Sequence, residues 1–275
     1  MKRIITLVLF FVLTITAHAQ NKSQFNLFKP TPANEMREFE SDRPTIIESP
    51  LTVDAGHIMY ETDLVKLETQ TTEIESNRQW VFNNANIKLG ITNSTDFQIF
   101  IESYGIEKTK ELSTGERETM QGFGDIRLRV KQNIIGNDKG NFALSVLPYV
   151  KFPTNKYSDN KKYEGGLIVP MEVKLPGEWK LELQVEADRL KDDDDDAYHT
   201  ELMQGAGISH KLGEKLEAFA ETYYTYDFKE HNIYNFLNAE LQFEVSDHFL
   251  IDGGVYYGIQ KHATHNYFAG AAFRF

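Results

Sequence analysis

The chain has no cysteine among its 275 residues. That absence excludes a disulfide framework, thiolate chemistry and a lipid-anchored N-terminal cysteine. Basic residues are scarce as well: 29 Lys and Arg stand against 41 Asp and Glu, a net charge of −12. Nucleic acid is not an expected partner for such a balance. Apart from Ile4–Ile15, no long apolar run occurs, so no helix is expected to cross a membrane. G-x-S-x-G, H-E-x-x-H and phosphate-loop motifs are also missing. No cofactor, metal or catalytic residue is expected.

What is present begins with an export address. Lys2 and Arg3 precede the apolar run, and Thr16-Ala17-His18-Ala19 supplies an A-x-A site before Gln20. This pattern predicts a signal peptide over residues 1–19, cleaved after Ala19. Loss of Lys2 and Arg3 takes the net charge from −12 to −14. An exported chain without a spanning helix is either soluble or a closed barrel, since only helices and barrels satisfy their backbone in lipid. A negative mean hydropathy does not choose between them, because barrels hide their apolar face in alternation.

Residues 20–55 show little periodicity and contain Pro30, Pro32, Pro44 and Pro50, which predicts an irregular segment. From residue 56 to 275 the chain alternates in segments of ten residues or more. Strand seven, Trp179–Leu190, sets Leu181, Leu183 and Val185 against Lys180, Glu182, Gln184 and Glu186. Strand four is read as Gly122–Ile135. Strand eight, Tyr198–Leu212, fits less well, with Gln204 and His210 on the side of Leu202 and Ile208; a bulge near Gly205 or Gly207 is the expected cause. Short turns such as Thr92-Asn93-Ser94 and Pro176-Gly177-Glu178 follow even strands, and the longer polar gaps, such as 105–121 and 153–164, follow odd ones. That sorting suits a barrel with short periplasmic turns and longer outer loops.

The expected fold is therefore all-β: a closed, antiparallel transmembrane β-barrel of about twelve strands. Its last strand, His265–Phe275, resembles the closing strand of bacterial outer-membrane barrels, with Tyr267, Phe273 and Phe275 as the aromatic assembly signal. It should pair with strand one near Ile58, Tyr60 and Leu64. Expected partners are outer-membrane lipids, the barrel-assembly machinery and a small-molecule solute.

Three stretches carry a family resemblance. They are Ser41-Asp42-Arg43-Pro44 through Glu48-Ser49-Pro50 with Gly56, then Lys88-Leu89-Gly90-Ile91-Thr92 with Asp96-Phe97, then Gly122-Phe123-Gly124-Asp125-Ile126 leading to Lys131. Together they resemble the outer-membrane transporter family named for the meta pathway of phenol degradation. The resemblance implies a barrel and passage of small solutes, with hydrophobic or aromatic compounds suggested by the family name. The usual Pro-Thr-Gly after strand five departs here to Pro153-Thr154-Asn155.

Asp42, Arg43 and Glu48, beside Pro44, Ser49 and Pro50, suit a charge-paired plug within the lumen; the alternative is a disordered periplasmic lead-in. Inward positions predict a charge ladder of Glu61, Asp63, Glu102, Asp125, Arg127, Arg129, Lys131, Glu172, Lys174 and Arg274, either selecting solutes or pairing to close the lumen. The run Asp192–Asp196 lacks the spaced ligands of a calcium loop. Two further alternatives are an outer-membrane lipid hydrolase and a soluble all-β periplasmic binding or structural protein. Adjacent Ser209 and His210 point to opposite faces of a strand, which argues against the hydrolase.

Overall fold

Period-two alternation produces thirteen strands and, among the described residues, no α-helix. They are β1 (Ile58–Thr71), β2 (Glu75–Thr92), β3 (Thr95–Glu111), β4 (Arg117–Gly122), β5 (Ile126–Ile135), β6 (Phe142–Phe152) and β7 (Glu164–Leu175), then β8 (Trp179–Lys191), β9 (Tyr198–Lys211), β10 (Leu216–Asp227), β11 (Ile233–Ser246), β12 (Phe249–Gly258) and β13 (His265–Arg274). The computed structural model describes residues 24–157, 162–192 and 197–275. Residues 1–19, read above as a signal peptide, and Asp193–Asp196 lie outside the described residues.

The sheet closes on itself. β1 pairs with β2 on one side and with β13 on the other, from Met59↔Arg274 to Thr69↔His265 with one register shift at Leu64. The residue after β13, Phe275, completes the seam: its N–H donates to Ile58 O at 2.8 Å. No edge is left between first and last strands, so the backbone is satisfied without water. Twelve strands form the wall, and β4 is an addition that pairs only with the outer half of β3.

Three expectations are corrected. The stretch read as strand four is broken at Gly122-Phe123-Gly124-Asp125, with β4 before the break and β5 after it. The break is packed against Glu102, whose carboxyl lies where a side chain at position 124 would go. Strand eight, now β9, contains no bulge; it pairs in unbroken register with both β8 and β10. Gln204 and His210 do face outward, but each has a partner there. Tyr224 donates its hydroxyl to Gln204, and His210 stacks on Trp179 at 4.2 Å between ring centroids. The polar gap read over 105–121 is also shorter than expected. β1–β2 and β3–β4 extend as hairpins with turns at residues 72–74 and 112–116.

Burial is inverted relative to a water-soluble protein. Leu167, Ile208, Leu237, Leu241, Phe243, Ile251 and Val255 are exposed on the outer face, whereas Lys131, Glu172, Glu182, Gln184 and Glu240 are buried inside. An apolar exterior around a polar lumen is what a lipid-facing barrel requires. Aromatic pairs mark both ends: Phe249 stacked on Phe273 near the short turns, and Tyr226 edge-on to Phe228 near the outer turns. Such pairs suit the two membrane interfaces.

Candidate functional site: a plugged lumen

Chain inside a barrel must find hydrogen-bond partners for each buried amide. The segment at residues 41–53 finds them on inward side chains. Glu221 of β10 accepts from Ile46 N–H and Ile47 N–H, both at 3.0 Å, one on each carboxylate oxygen. Gln184 of β8 accepts from Glu48 N–H at 2.8 Å, Asn137 from Thr52 N–H at 3.0 Å and Asp96 from Val53 N–H at 3.0 Å. Plug carbonyls are met in the same way: Tyr256 donates to Pro44 O at 2.5 Å, and Asn133 to Pro50 O at 2.8 Å.

Charge holds the segment in one orientation. Asp42 lies between Lys88 and Lys131, with Lys131 Nζ at 2.7 Å. Lys131 Nζ also donates to Ser49 O at 2.7 Å. Burial alone would raise the Asp42 pKa, yet the ammonium groups of Lys131 and Lys88 hold it well below the usual carboxylate range. Arg129 forms a fork on Glu48. Arg43 turns to β1 and β12, reaching Asp252 at 2.6 and 3.0 Å and Asp63 at 2.6 Å, beneath the Phe268 ring. Plug carboxylates thus face the cations of β2 and β5, and the amides of Ile46, Ile47 and Glu48 face acceptors on β8 and β10. Ile47 adds one apolar anchor, fully buried against Gly205 and Gly207 of β9.

Further toward the short turns the lead-in is tied to the rim. Arg37 pairs with Asp54 at 3.0 Å, Arg274 donates to Arg37 O at 2.8 Å, and Gly56 N–H donates to Gly90 O at 2.8 Å. The plug stands between two cavities. An outer one of about 890 Å³ is lined by Glu61, Phe100, Glu102, Arg127, Arg129 and Tyr256, among others. A smaller one of about 290 Å³ opens toward the short turns beside Lys174, Lys180 and Glu217. Arg43 and Thr45 line both.

The charged positions of the proposed ladder divide by location. Glu61, Asp63, Arg129 and Lys131 grip the plug. Glu102 and Asp125 instead meet the outer connection after β6: Tyr157 donates its hydroxyl to Glu102, and Asn155 N–H donates to Asp125 at 3.0 Å. The departure at Asn155 is accommodated there. Glu172 is buried, Lys174 lies half-exposed near it at 3.8 Å, and Arg274 sits at the rim. Among the aromatic-signal residues, Tyr267 and Phe275 are exposed and Phe273 stacks on Phe249. Ser209 faces the lumen and donates to Glu217 at 2.7 Å, away from His210. Asp192 pairs with His199 and Lys229, and among the described residues no group of three or more His, Cys, Asp or Glu is placed to hold a metal. Sequence reasoning did not single out Lys88, Asp96, Gln184, Glu221, Asp252 and Tyr256 as site residues, although inward alternation placed several on the polar face.

A closed twelve-strand wall, apolar outside and charged within, with an ordered segment across its lumen, defines a β-barrel of the outer-membrane type. Solved structures of that type resemble it. The COG4313 outer membrane channel from Pseudomonas putida F1 superposes with a TM-score of 0.62 at 10% identity, covering 86% of this chain and 100% of that one. The NanC porin gives 0.50 at 10% identity over 78% and 98% of the two chains. The β domain of the Bordetella autotransporter BrkA gives 0.51 at 10% identity over 80% and 99%. No curated protein is close enough in sequence to count as a match. The chain belongs to the family described as "Putative MetA-pathway of phenol degradation", whose profile matches residues 41–275.

Proposed function

We propose that this protein is an outer-membrane channel for the passage of small solutes, with the segment at residues 41–50 as the element that restricts it. The observation that carries this reading is the plug itself. It crosses the lumen on side chains from β1, β2, β5, β6, β8, β10, β11 and β12, with open space on either side. Its grip is largely polar, so water and ions entering the lumen compete for the same partners. A segment bound in this way can narrow a pore and still yield. The export signal, cleaved after Ala19, would deliver the chain, and Tyr267, Phe273 and Phe275 would serve its recognition by the barrel-assembly machinery. Residues 20–55 then form the lead-in and plug, and residues 56–275 the barrel.

Hydrophobic or aromatic compounds are the proposed solutes. Phe100, Tyr157, Tyr256 and Phe268 line the outer cavity and give it apolar surface among its charges. Reconstitution into planar bilayers tests the function. Discrete conductance steps are expected; a protein that hydrolyses phospholipid and conducts nothing would overturn the reading. Heat-modifiable gel migration tests the barrel in the same preparation.

A further inference from the structure

The cations of the lumen are mostly spent on carboxylates. Lys88 and Lys131 serve Asp42, Arg129 serves Glu48, Arg43 serves Asp63 and Asp252, and Lys151 reaches Asp125 at 3.3 Å and Glu164. Arg127 is different. It lines the outer cavity, yet among the described residues no carboxylate reaches ion-pair distance of it and no acceptor takes its N–H groups. What it has instead is orientation. The guanidinium lies over the Tyr149 ring at 4.9 Å and near the Phe100 ring at 5.8 Å. Tyr149 is itself fixed, because its hydroxyl donates to Asp188 at 2.6 Å.

We propose that Arg127 is the solute anchor of the outer cavity and binds the carboxylate of a small organic acid whose flat apolar body rests on the neighbouring aromatic rings. The inference deepens the channel reading, and rests on it, by naming a solute class. A planar guanidinium with free N–H groups recognises a carboxylate through two parallel hydrogen bonds. Stacking on rings preserves those donors while restricting the side chain's rotation, so little freedom is lost on binding. The residue directly opposite across the β5–β6 pair is Lys151, a like charge. The charge of Lys151 is already met by Asp125 and Glu164, which leaves Arg127 as the cation open to an arriving anion.

Affinity should be modest. Glu186 and Asp188 of β8 lie within electrostatic reach of Arg127, though outside ion-pair distance, and they temper its field. Passage needs a site strong enough to attract and weak enough to release.

Sodium benzoate is the probe, with benzyl alcohol as its uncharged counterpart. Two readouts are taken on the full chain: benzoate binding to the detergent-solubilised barrel by ligand-observed NMR, and transient block of single-channel current. Benzoate should bind and block, benzyl alcohol should do so far more weakly, and Arg127→Gln should weaken benzoate about tenfold or more while keeping the folded-barrel gel shift. Arg127→Lys should recover part of the effect, retaining charge but losing the fork. Equal benzoate binding by wild type and Arg127→Gln, or equal binding of benzoate and benzyl alcohol, would overturn the proposal. If the barrel conducts nothing, the channel reading fails, while the binding measurement still decides the role of Arg127.

Discussion

Arg43 occupies the place that a side chain at position 270 would fill. A Cβ there would lie 1.9 Å from Arg43 Nη2 and 2.3 Å from Cζ. The glycine in the closing strand therefore makes room for the plug, and the same strand both seals the barrel and admits the segment that crosses it.

Replacing Arg43 with alanine should cost about 3–5 kcal/mol, because Asp63 and Asp252 would be left buried without their cation. Gly270→Ala should act in the same direction and more weakly, by displacing the guanidinium rather than removing it. The midpoint of heat-modifiable migration in detergent checks both. An Arg43→Ala midpoint equal to wild type would show that the pair does not hold the plug.

Glu221 separates a gate from a strut. Glu221→Gln keeps one acceptor for the two plug amides, whereas Glu221→Ala removes both. Each orphaned amide costs about 1–3 kcal/mol if it stays buried, so the alanine variant should release the plug. Single-channel conductance should rise from wild type to Gln to Ala. No change across the series would detach these contacts from pore size.

Gly207 tests the apolar anchor. A Cβ at that position would meet Ile47 Cδ1 at 3.3 Å and Glu221 Cγ at 3.1 Å, so alanine forces a small adjustment and valine a larger one. Conductance should follow side-chain size at this position. An unchanged Gly207→Val channel would mean that Ile47 is not seated there in the membrane.

Asp42 sets an acid limit. A carboxyl whose pKa is lower in the folded state contributes stability above its unfolded pKa of about 3.9, and that contribution is lost as pH falls through the folded value. Because Lys131 and Lys88 hold Asp42 below the usual range despite burial, the pairs it makes with them should persist from neutral pH down to about pH 4. Conductance recorded across that range checks this. An opening near pH 6 that Asp42→Asn abolishes would contradict it.

Much of this barrel was legible in the chain because a two-solvent sheet writes its faces into period two. Leu181, Leu183 and Val185 declare the lipid side of β8 without help from any partner strand. The plug was legible only as charge beside proline, since the sequence around Asp42 and Glu48 does not say which wall each would meet. That depends on residues brought together by closure: Lys88 and Lys131 stand on separate strands, as do Glu221 and Gln184. The bulge expected near Gly205 was a misreading of cause. The glycines of β9 make space for Ile47 on the lumen side, and the outward Gln204 and His210 are satisfied by Tyr224 and Trp179. In the sequence Arg127 is one inward cation among several; the ion pairs of its neighbours set it apart.

The absence of native cysteine makes the central claim directly measurable. A double substitution, Ile47→Cys with Gly207→Cys, would place two thiols where the plug meets β9, with no competing cysteine elsewhere. Single-channel conductance of this variant, recorded oxidised and then after reduction in the same bilayer, tests whether the plug restricts the pore. Low conductance while the bridge is closed, rising when it is reduced, is the expected result. Equal conductance in the two states, with the bridge confirmed by mass spectrometry, would show that solutes pass without the plug yielding and would contradict its role as the restricting element.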